Sequence, residues 1–263
     1  MSSFNELLAA ASGDTIELPA EWQQGRACYG GLVAALLVQR ARREVRDQER
    51  RLRWASIAFV GPAAAQLSEL QARVLRAGRA ATFVEAALVQ DGDKTRGSAQ
   101  CLFGARRESI LRVDADAMPE LAPPETLVDM PHLPGVMPDF LTHIRLRWAF
   151  GEPPHSGVAS RELAGWTRFA DGEKLDSVDH AIGLMDAWPA PVLSSFRGRT
   201  PASSVTWTLD VVRDFSGERC EGWWAYHART DEARDGYAFC TARLWHPSGD
   251  LALIARQCVA VFG

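Results

Sequence analysis

Asp186 is the residue of this sequence that is best placed for acid–base chemistry, close to the end of a predicted helix. Asp176 or Ser177 can accept hydrogen bonds from the free N–H groups at the helix start. The prolines that follow Trp188 end the helix. Asp186 therefore lies in the last turn, among apolar neighbours and near the negative end of the helix dipole. Both features raise the pKa of a carboxyl toward the range of a general base, although an aspartate exposed at a fraying helix end has the same signature.

The sequence lacks the common motifs for a serine nucleophile, a metal site, a redox-active cysteine pair and a phosphate-binding loop. No serine lies in a GxSxG motif, which argues against an α/β-hydrolase nucleophile. The 6 histidines show no metal-ligand spacing, and the 5 cysteines show no CxxC pair and are interpreted as reduced. No glycine-rich phosphate loop is present. The sequence predicts no metal and no other cofactor.

Composition narrows the class of protein. A chain of 263 residues with 47% hydrophobic and 24% charged residues is typical of a globular protein with a large core. A net charge of −4 does not favour a nucleic-acid partner. The sequence contains no run of about 18 apolar residues, so it predicts no membrane span. The N-terminus lacks the features of a signal peptide. We therefore expect a cytoplasmic protein.

The predicted elements fall into two similar halves. Gly30-Gly31 opens an apolar helix, GLVAALLVQRARREV, and four strand patterns follow it, two of them joined by an Asp91-Gly92 hairpin turn. A proline-rich segment at 112–138 predicts a linker between a unit at 1–111 and a unit at 139–263. The second unit repeats the plan with two strands, the helix that carries Asp186, and four more strands.

A direct self-comparison supports a duplication. The segment 71–101 aligns with 227–258 when one inserted residue is allowed. Phe83 then matches Phe239, and Gln100-Cys101 matches Gln257-Cys258. The alignment predicts an α+β fold of two helix-plus-antiparallel-sheet units whose sheets join into one long curved sheet. Chance similarity between amphipathic strands is the alternative.

These segments resemble a known family. YGGLVAALLVQRA, RWASIAFVGPA and the hairpin RAGRAATFVEAALVQDG are similar to the first half of the type II acyl-CoA thioesterases. WTLDVVRDF and the region from WWAYHARTDEARDGY to LALIARQ are similar to their second half. The resemblance covers about residues 30–261 and implies a double-hotdog fold, acyl-CoA as the substrate and a homo-oligomer.

The resemblance also implies a catalytic trio that activates a water molecule for attack on the thioester carbonyl. Carried onto this sequence, the aspartate is Asp186, the glutamine is Gln257 and the hydroxyl residue is Thr230. An alignment shifted by one residue would place Asp231 at the third position and leave that role open. The first half offers no complete set, because its helix has no carboxylate and Val74 matches Thr230.

The segment Tyr29-Gly30-Gly31 is a candidate for binding the developing oxyanion of the substrate. Glycines at a helix start allow close approach, and the helix dipole favours negative charge there. A packing or capping role for the two glycines is the alternative. Two other functions stay open: a non-catalytic acyl-thioester binding protein, and a hotdog-type acyl-CoA hydratase, for which Asp179-His180 would supply the acid–base pair.

Overall fold

The fold consists of a large antiparallel sheet and a few helices. The computed structural model describes residues 2–171, 177–215, 217–218 and 220–262. Its α-helices are α1 (Phe4–Ala10), α2 (Gly30–Arg42) and α3 (Val178–Met185). Its strands in the first half are β1 (Thr15–Glu17), β2 (Gln23–Gln24), β3 (Ala27–Cys28), β4 (Arg51–Phe59), β5 (Leu67–Ala77), β6 (Ala81–Gln90) and β7 (Lys94–Gly104). Those in the second half are β8 (Ile144–Gly151), β9 (Glu162–Phe169), β10 (Ala202–Val211), β11 (Trp224–Arg234), β12 (Tyr237–Trp245) and β13 (Leu251–Val261).

Eleven strands form one continuous sheet in the order β1-β5-β6-β7-β4-β10-β13-β12-β11-β9-β8. Neighbouring strands are antiparallel throughout, and the two halves join where β4 pairs with β10, with Ile57 opposite Trp207. Helices α2 and α3 bury their apolar residues against this sheet in a shared core. The predicted α+β architecture, two helix-plus-sheet units on one long sheet, is confirmed. Among the described residues, no helix combines the length and apolar character needed to cross a membrane.

The two halves are related by an approximate twofold symmetry, because the first five strands outward from the seam correspond in both directions, and β8 is an additional edge strand of the second half. Strands β5 and β11 both carry a register shift, after Val74 and after Thr230. The hairpins match as well, with Leu88 opposite Gly97 in one and Leu244 opposite Leu253 in the other. Both spans contain the same number of residues, so the inserted residue assumed in the sequence alignment is wrong.

This equal spacing changes the residue that corresponds to Gln257. Cys101 lies opposite Ala55 on β4, as Gln257 lies opposite Trp207 on β10. Gln100, which the sequence comparison matched to Gln257, is exposed and points away from the core. The error arises because the turn glycines Gly92 and Gly249 lie one residue apart in the corresponding hairpins. Aligning them shifts the following strand by one residue, and such a shift moves every side chain to the opposite face of the sheet.

Several local features differ from the sequence prediction. Helix α3 ends at Met185 rather than near Trp188. Ser177 is its N-cap residue, but the predicted capping hydrogen bond is wrong, because the Ser177 hydroxyl lies 2.7 Å from Nδ1 of His180 and accepts from no N–H group of the helix start. Asp176, the other predicted cap, lies outside the described residues. Helix α1 was not predicted, although Ser3 and Glu6 form a capping box. From 105 to 143 the chain has only 3-10 turns, and the boundaries of the two units stay a prediction.

Helices α2 and α3 run antiparallel, so that each helix start lies near the end of the other helix. At one end of the pair, Nη2 of Arg42 donates to Oδ1 of Asp179 over 2.9 Å, and the Asp179 side chain is only 5% exposed. At the other end, the first residues of α2 meet Asp186. The ion pair therefore helps to set the alignment of the helices on which the second contact depends.

We predict that Arg42→Met lowers the free energy of unfolding by about 3 kcal/mol, because it leaves a buried carboxylate without its cation. The double variant Arg42→Met/Asp179→Leu is expected to recover most of this loss, since both charges are then gone. Urea unfolding measures both values. Equal destabilisation by the single and double variants would contradict this account of the pair.

Candidate active site

The carboxylate of Asp186 lies between the end of α3 and the start of α2. Asp186 is the C-cap of α3, and its Oδ1 accepts a hydrogen bond from Nε2 of Gln257 over 3.1 Å. The backbone N–H of Gly31 also donates to this carboxylate. A Cβ atom at Gly30 would lie 2.6 Å from Oδ2 of Asp186, so only glycine leaves room for the carboxylate there.

Burial raises the pKa of Asp186 to about 7, while the hydrogen bonds from Gln257 and Gly31 act in the opposite direction. The predicted direction of the pKa shift agrees with the structure, but the prediction missed one contribution to it. The sequence argument considered only the negative end of the helix that carries Asp186. The structure adds the positive N-terminal end of α2, which favours the ionised form. Loss of water is therefore the dominant cause.

Gln257 connects Asp186 to a serine that the sequence analysis missed. Its amide nitrogen donates to Asp186 and also to Oγ of Ser204, over 2.7 Å. Ser204 lies on β10 next to a register shift in the pairing with β13, and the shift places its hydroxyl beside Gln257. The available signal was the run Ser203-Ser204 on the first strand after α3.

Thr230 is not brought into this cluster by the structure. It lies on β11, and its hydroxyl is 3.5 Å from Sγ of Cys240 on β12. Cys240 in turn lies opposite Gln257 on β13, so one strand separates Thr230 from the glutamine. Of the predicted trio, the structure brings together Asp186 and Gln257.

The three residues of the predicted oxyanion-binding segment have different surroundings. Tyr29 is fully buried, stacks on Phe140 at 4.0 Å and donates its hydroxyl to the carbonyl of Gly183 near the end of α3. It therefore positions the helices and does not line the cavity described below. Gly31 donates to Asp186, whereas Gly30 is partly exposed. Helix geometry leaves the first N–H groups of α2 without partners inside the helix.

A small cavity adjoins the carboxylate. Asp186 and Gln257 line it together with apolar side chains, chiefly Met185, Trp188, Trp207 and Tyr226. Its volume is about 10 Å³, close to the space that one water molecule requires. The cavity can therefore hold a water molecule beside a carboxylate whose pKa suits a base.

Other nucleophiles and acid–base pairs are less well placed. Burial raises the pKa of the Cys240 thiol, which lines the cavity, so a reactive thiolate is disfavoured there. Asp179 pairs with Arg42, whereas His180 contacts Ser177 and Asn5 through its two ring nitrogens. The neighbours proposed for a hydratase thus bind different partners. Within the described ranges, no three His, Cys, Asp or Glu side chains cluster as a metal site would require.

Comparison with protein-family models shows the family to which the chain belongs. The model of the acyl-CoA thioesterase N-terminal domain matches residues 18–104, and that of the C-terminal domain matches residues 121–261. The chain belongs to the acyl-CoA thioesterase family. It is a thioester hydrolase, and the C-terminal match contains Asp186, Ser204 and Gln257.

Solved structures show the same fold for this acyl-CoA thioesterase. A hot dog fold protein of unknown function from Alicyclobacillus acidocaldarius has a TM-score of 0.83 at 20% identity, over 95% of this chain and 92% of that one. The tesB protein of Mycobacterium avium subs. paratuberculosis has a TM-score of 0.79 at 17% sequence identity, over 99% of this chain and 100% of that one. An acyl-CoA thioesterase II of Mycobacterium marinum has a TM-score of 0.75 at 18% sequence identity, over 98% of both chains. A search of curated proteins finds no match.

We predict that Asp186 makes the folded thioesterase less stable as pH rises. Because the folded pKa is about 7 and the ordinary value 3.8, the stabilising protonated form is complete below about pH 4 and is lost through pH 7. Over that range, wild type should lose about 2–4 kcal/mol of unfolding free energy relative to Asp186→Asn. Urea unfolding at several pH values measures the difference. A difference that is independent of pH would contradict the raised pKa.

Proposed function

We propose that the chain hydrolyses an acyl-CoA thioester to a carboxylic acid and coenzyme A, with Asp186 as the general base. The observation that carries the proposal is the double hydrogen bond of Gln257 to Asp186 and Ser204 beside a cavity of one-water size. Ser204 takes the third role that the family resemblance assigned to Thr230. This choice rests on its contact with Gln257, which the hydroxyl of Thr230 does not make.

The reaction would proceed in two steps that balance in protons. Asp186 removes a proton as the water oxygen bonds to the thioester carbon, and the carbonyl oxygen becomes an oxyanion. The C–S bond then breaks, and the proton held by Asp186 passes to the leaving thiolate. Since a thiolate is a good leaving group, no stronger acid is needed.

The developing oxyanion would lie at the start of α2. Gly31 already donates to Asp186, so the N–H of Gly30 is the better candidate donor for the substrate oxygen. The positive end of the helix dipole would stabilise both the oxyanion and the ionised base. Glycine at position 30 would therefore serve two needs, room for the Asp186 carboxylate and access for the carbonyl.

We expect kcat/KM for an acyl-CoA to fall about tenfold per pH unit below about pH 7, because protonated Asp186 cannot accept the proton of water. Asp186→Asn should lower kcat/KM by about 100-fold or more and remove this dependence. Thiol release followed with a chromogenic disulfide between about pH 5.5 and 8.5 measures both effects. Wild-type rates in the variant would remove the base assignment.

A second prediction distinguishes the two hydroxyls. Ser204→Ala should lower kcat by about tenfold or more, because Gln257 loses the partner that orients it, whereas Thr230→Val should change kcat by about threefold at most. Both substitutions remove one hydroxyl from a strand in the same half of the sheet, so each controls for the other. The reverse order of effects would return the third role to Thr230.

A further inference from the structure

A water molecule beside Asp186 needs a hydrogen-bond donor that the residues described so far do not supply. A buried water typically makes about three hydrogen bonds. The ionised Asp186 can accept one proton of the water. The Gln257 amide gives its two N–H groups to Asp186 and Ser204, so its carbonyl oxygen is the part that can contact the water, and it can only accept. These side chains therefore take both protons of the water and offer nothing to its oxygen.

Tyr226 carries a hydroxyl that is suited to this role. It lies on β11, lines the cavity with Asp186 and Gln257, and is only 6% exposed. Within the described residues its hydroxyl forms no hydrogen bond, yet the oxygen is not enclosed by protein atoms and so adjoins open space. Burial first, and then the charges of Cys240 and Asp186, raise the pKa of Tyr226 above its ordinary value. The phenol therefore keeps its proton near neutral pH and can donate it in a hydrogen bond.

The other donors on the cavity wall are less suitable. The indole Nε1 of Trp188 has no partner among the described residues, but protein atoms enclose it, so it does not open onto the cavity. The thiol of Cys240 is a weak donor. Trp207 also lines the cavity, but its N–H is fixed in the plane of an indole that is 2% exposed. The proton of the Tyr226 hydroxyl can instead rotate about the C–O bond and follow the water oxygen as it moves toward the substrate.

The approximate twofold symmetry shows that the fold itself does not require this hydroxyl. Tyr226 lies opposite Leu244 on β12, as Leu70 lies opposite Leu88 on β6. Leu70 is 1% exposed, so an apolar side chain fills the corresponding position of the first half. The hydroxyl thus occurs in the half of the chain that also carries Asp186.

We infer that Tyr226 is a further catalytic residue, whose hydroxyl donates a hydrogen bond to the water that Asp186 activates. The inference rests on the proposed function, because it takes the cavity as the place of the attacking water. Asp186 and Gln257 would accept the two protons of the water, and Tyr226 would bind one lone pair. The other lone pair then forms the bond to the thioester carbon. One water proton passes to Asp186, and Tyr226 keeps its own proton throughout.

The test measures kcat and KM of Tyr226→Phe with whichever of acetyl-, octanoyl- and palmitoyl-CoA wild type hydrolyses fastest. We expect kcat to fall by about tenfold or more and KM to change by about twofold at most, because the hydroxyl contacts the water and not the substrate. The fall in kcat/KM below about pH 7 should remain, since Asp186 is still the base. The melting temperature should not decrease, because the ring keeps its stacking on Trp188 and no hydrogen bond within the described residues is lost.

Two other substitutions serve as controls. Tyr237→Phe removes the same hydroxyl from β12, where the side chain is 47% exposed and does not line the cavity, and should leave kcat within about twofold. Trp207→Phe removes the other donor of the wall and should change kcat less than Tyr226→Phe does. The reverse order of these two effects would overturn the inference.

A crystal structure of wild type gives a readout that is independent of activity. It should show a water molecule within hydrogen-bonding distance of both the Tyr226 hydroxyl and the Asp186 carboxylate. A water that contacts Asp186 but not Tyr226 would overturn the inference.

The kinetic outcomes separate this inference from the proposed function. Wild-type kcat in Tyr226→Phe would overturn the inference and leave the thioesterase reaction in place. Loss of the pH dependence in that variant, or a fall in kcat that accompanies a lower melting temperature, would also overturn it. If wild type hydrolysed none of the three acyl-CoAs, the proposed function itself would be refuted.

Discussion

The candidate site depends on the placement of one carboxylate, Asp186, at the start of a helix other than its own. Because α2 and α3 run antiparallel, the end of α3 meets the positive end of α2. Tyr29 fixes this junction by donating to the carbonyl of Gly183, and Arg42 fixes the opposite end through Asp179. A carboxylate withdrawn from water is costly by itself, and the helix start with its free N–H groups is what makes the position tolerable.

The approximate twofold symmetry creates a second junction of the same kind, where α2 ends and α3 begins. There Arg42 takes the place that Asp186 has at the first junction, and Cys101 takes the place of Gln257. Leu52, the counterpart of Ser204 beside the matching register shift, has no hydroxyl. A guanidinium paired with Asp179 can neither remove a proton nor hold water as a base would. The proposed chemistry therefore belongs to one junction, and the other contributes a link between the helices.

Sequence periodicity was sufficient for most of the sheet, because strands such as β6 alternate in burial and end at turn residues. Asp186 was predictable from its position at a helix end, and Gln257 from the family resemblance. The failures concern single-residue shifts. The sequence alignment matched Gln257 to Gln100, which lies on the opposite face of its strand, because the turn glycines of the two hairpins differ by one position. Ser204 was overlooked because it lies beside a register shift. Such shifts depend on cross-strand pairing, which no local pattern encodes.

The base strength of Asp186 reflects a balance that involves Ser204. Each hydrogen bond to the carboxylate stabilises the anion and lowers its pKa, whereas burial raises the pKa. Gln257 has two amide N–H groups, and it gives one to Asp186 and the other to Ser204. If the serine were absent, the amide could turn toward the carboxylate and weaken the base. In the proposed mechanism Ser204 would therefore act through the glutamine: by accepting one of its two N–H groups, it would keep the carboxylate basic enough to accept a proton from water near neutral pH.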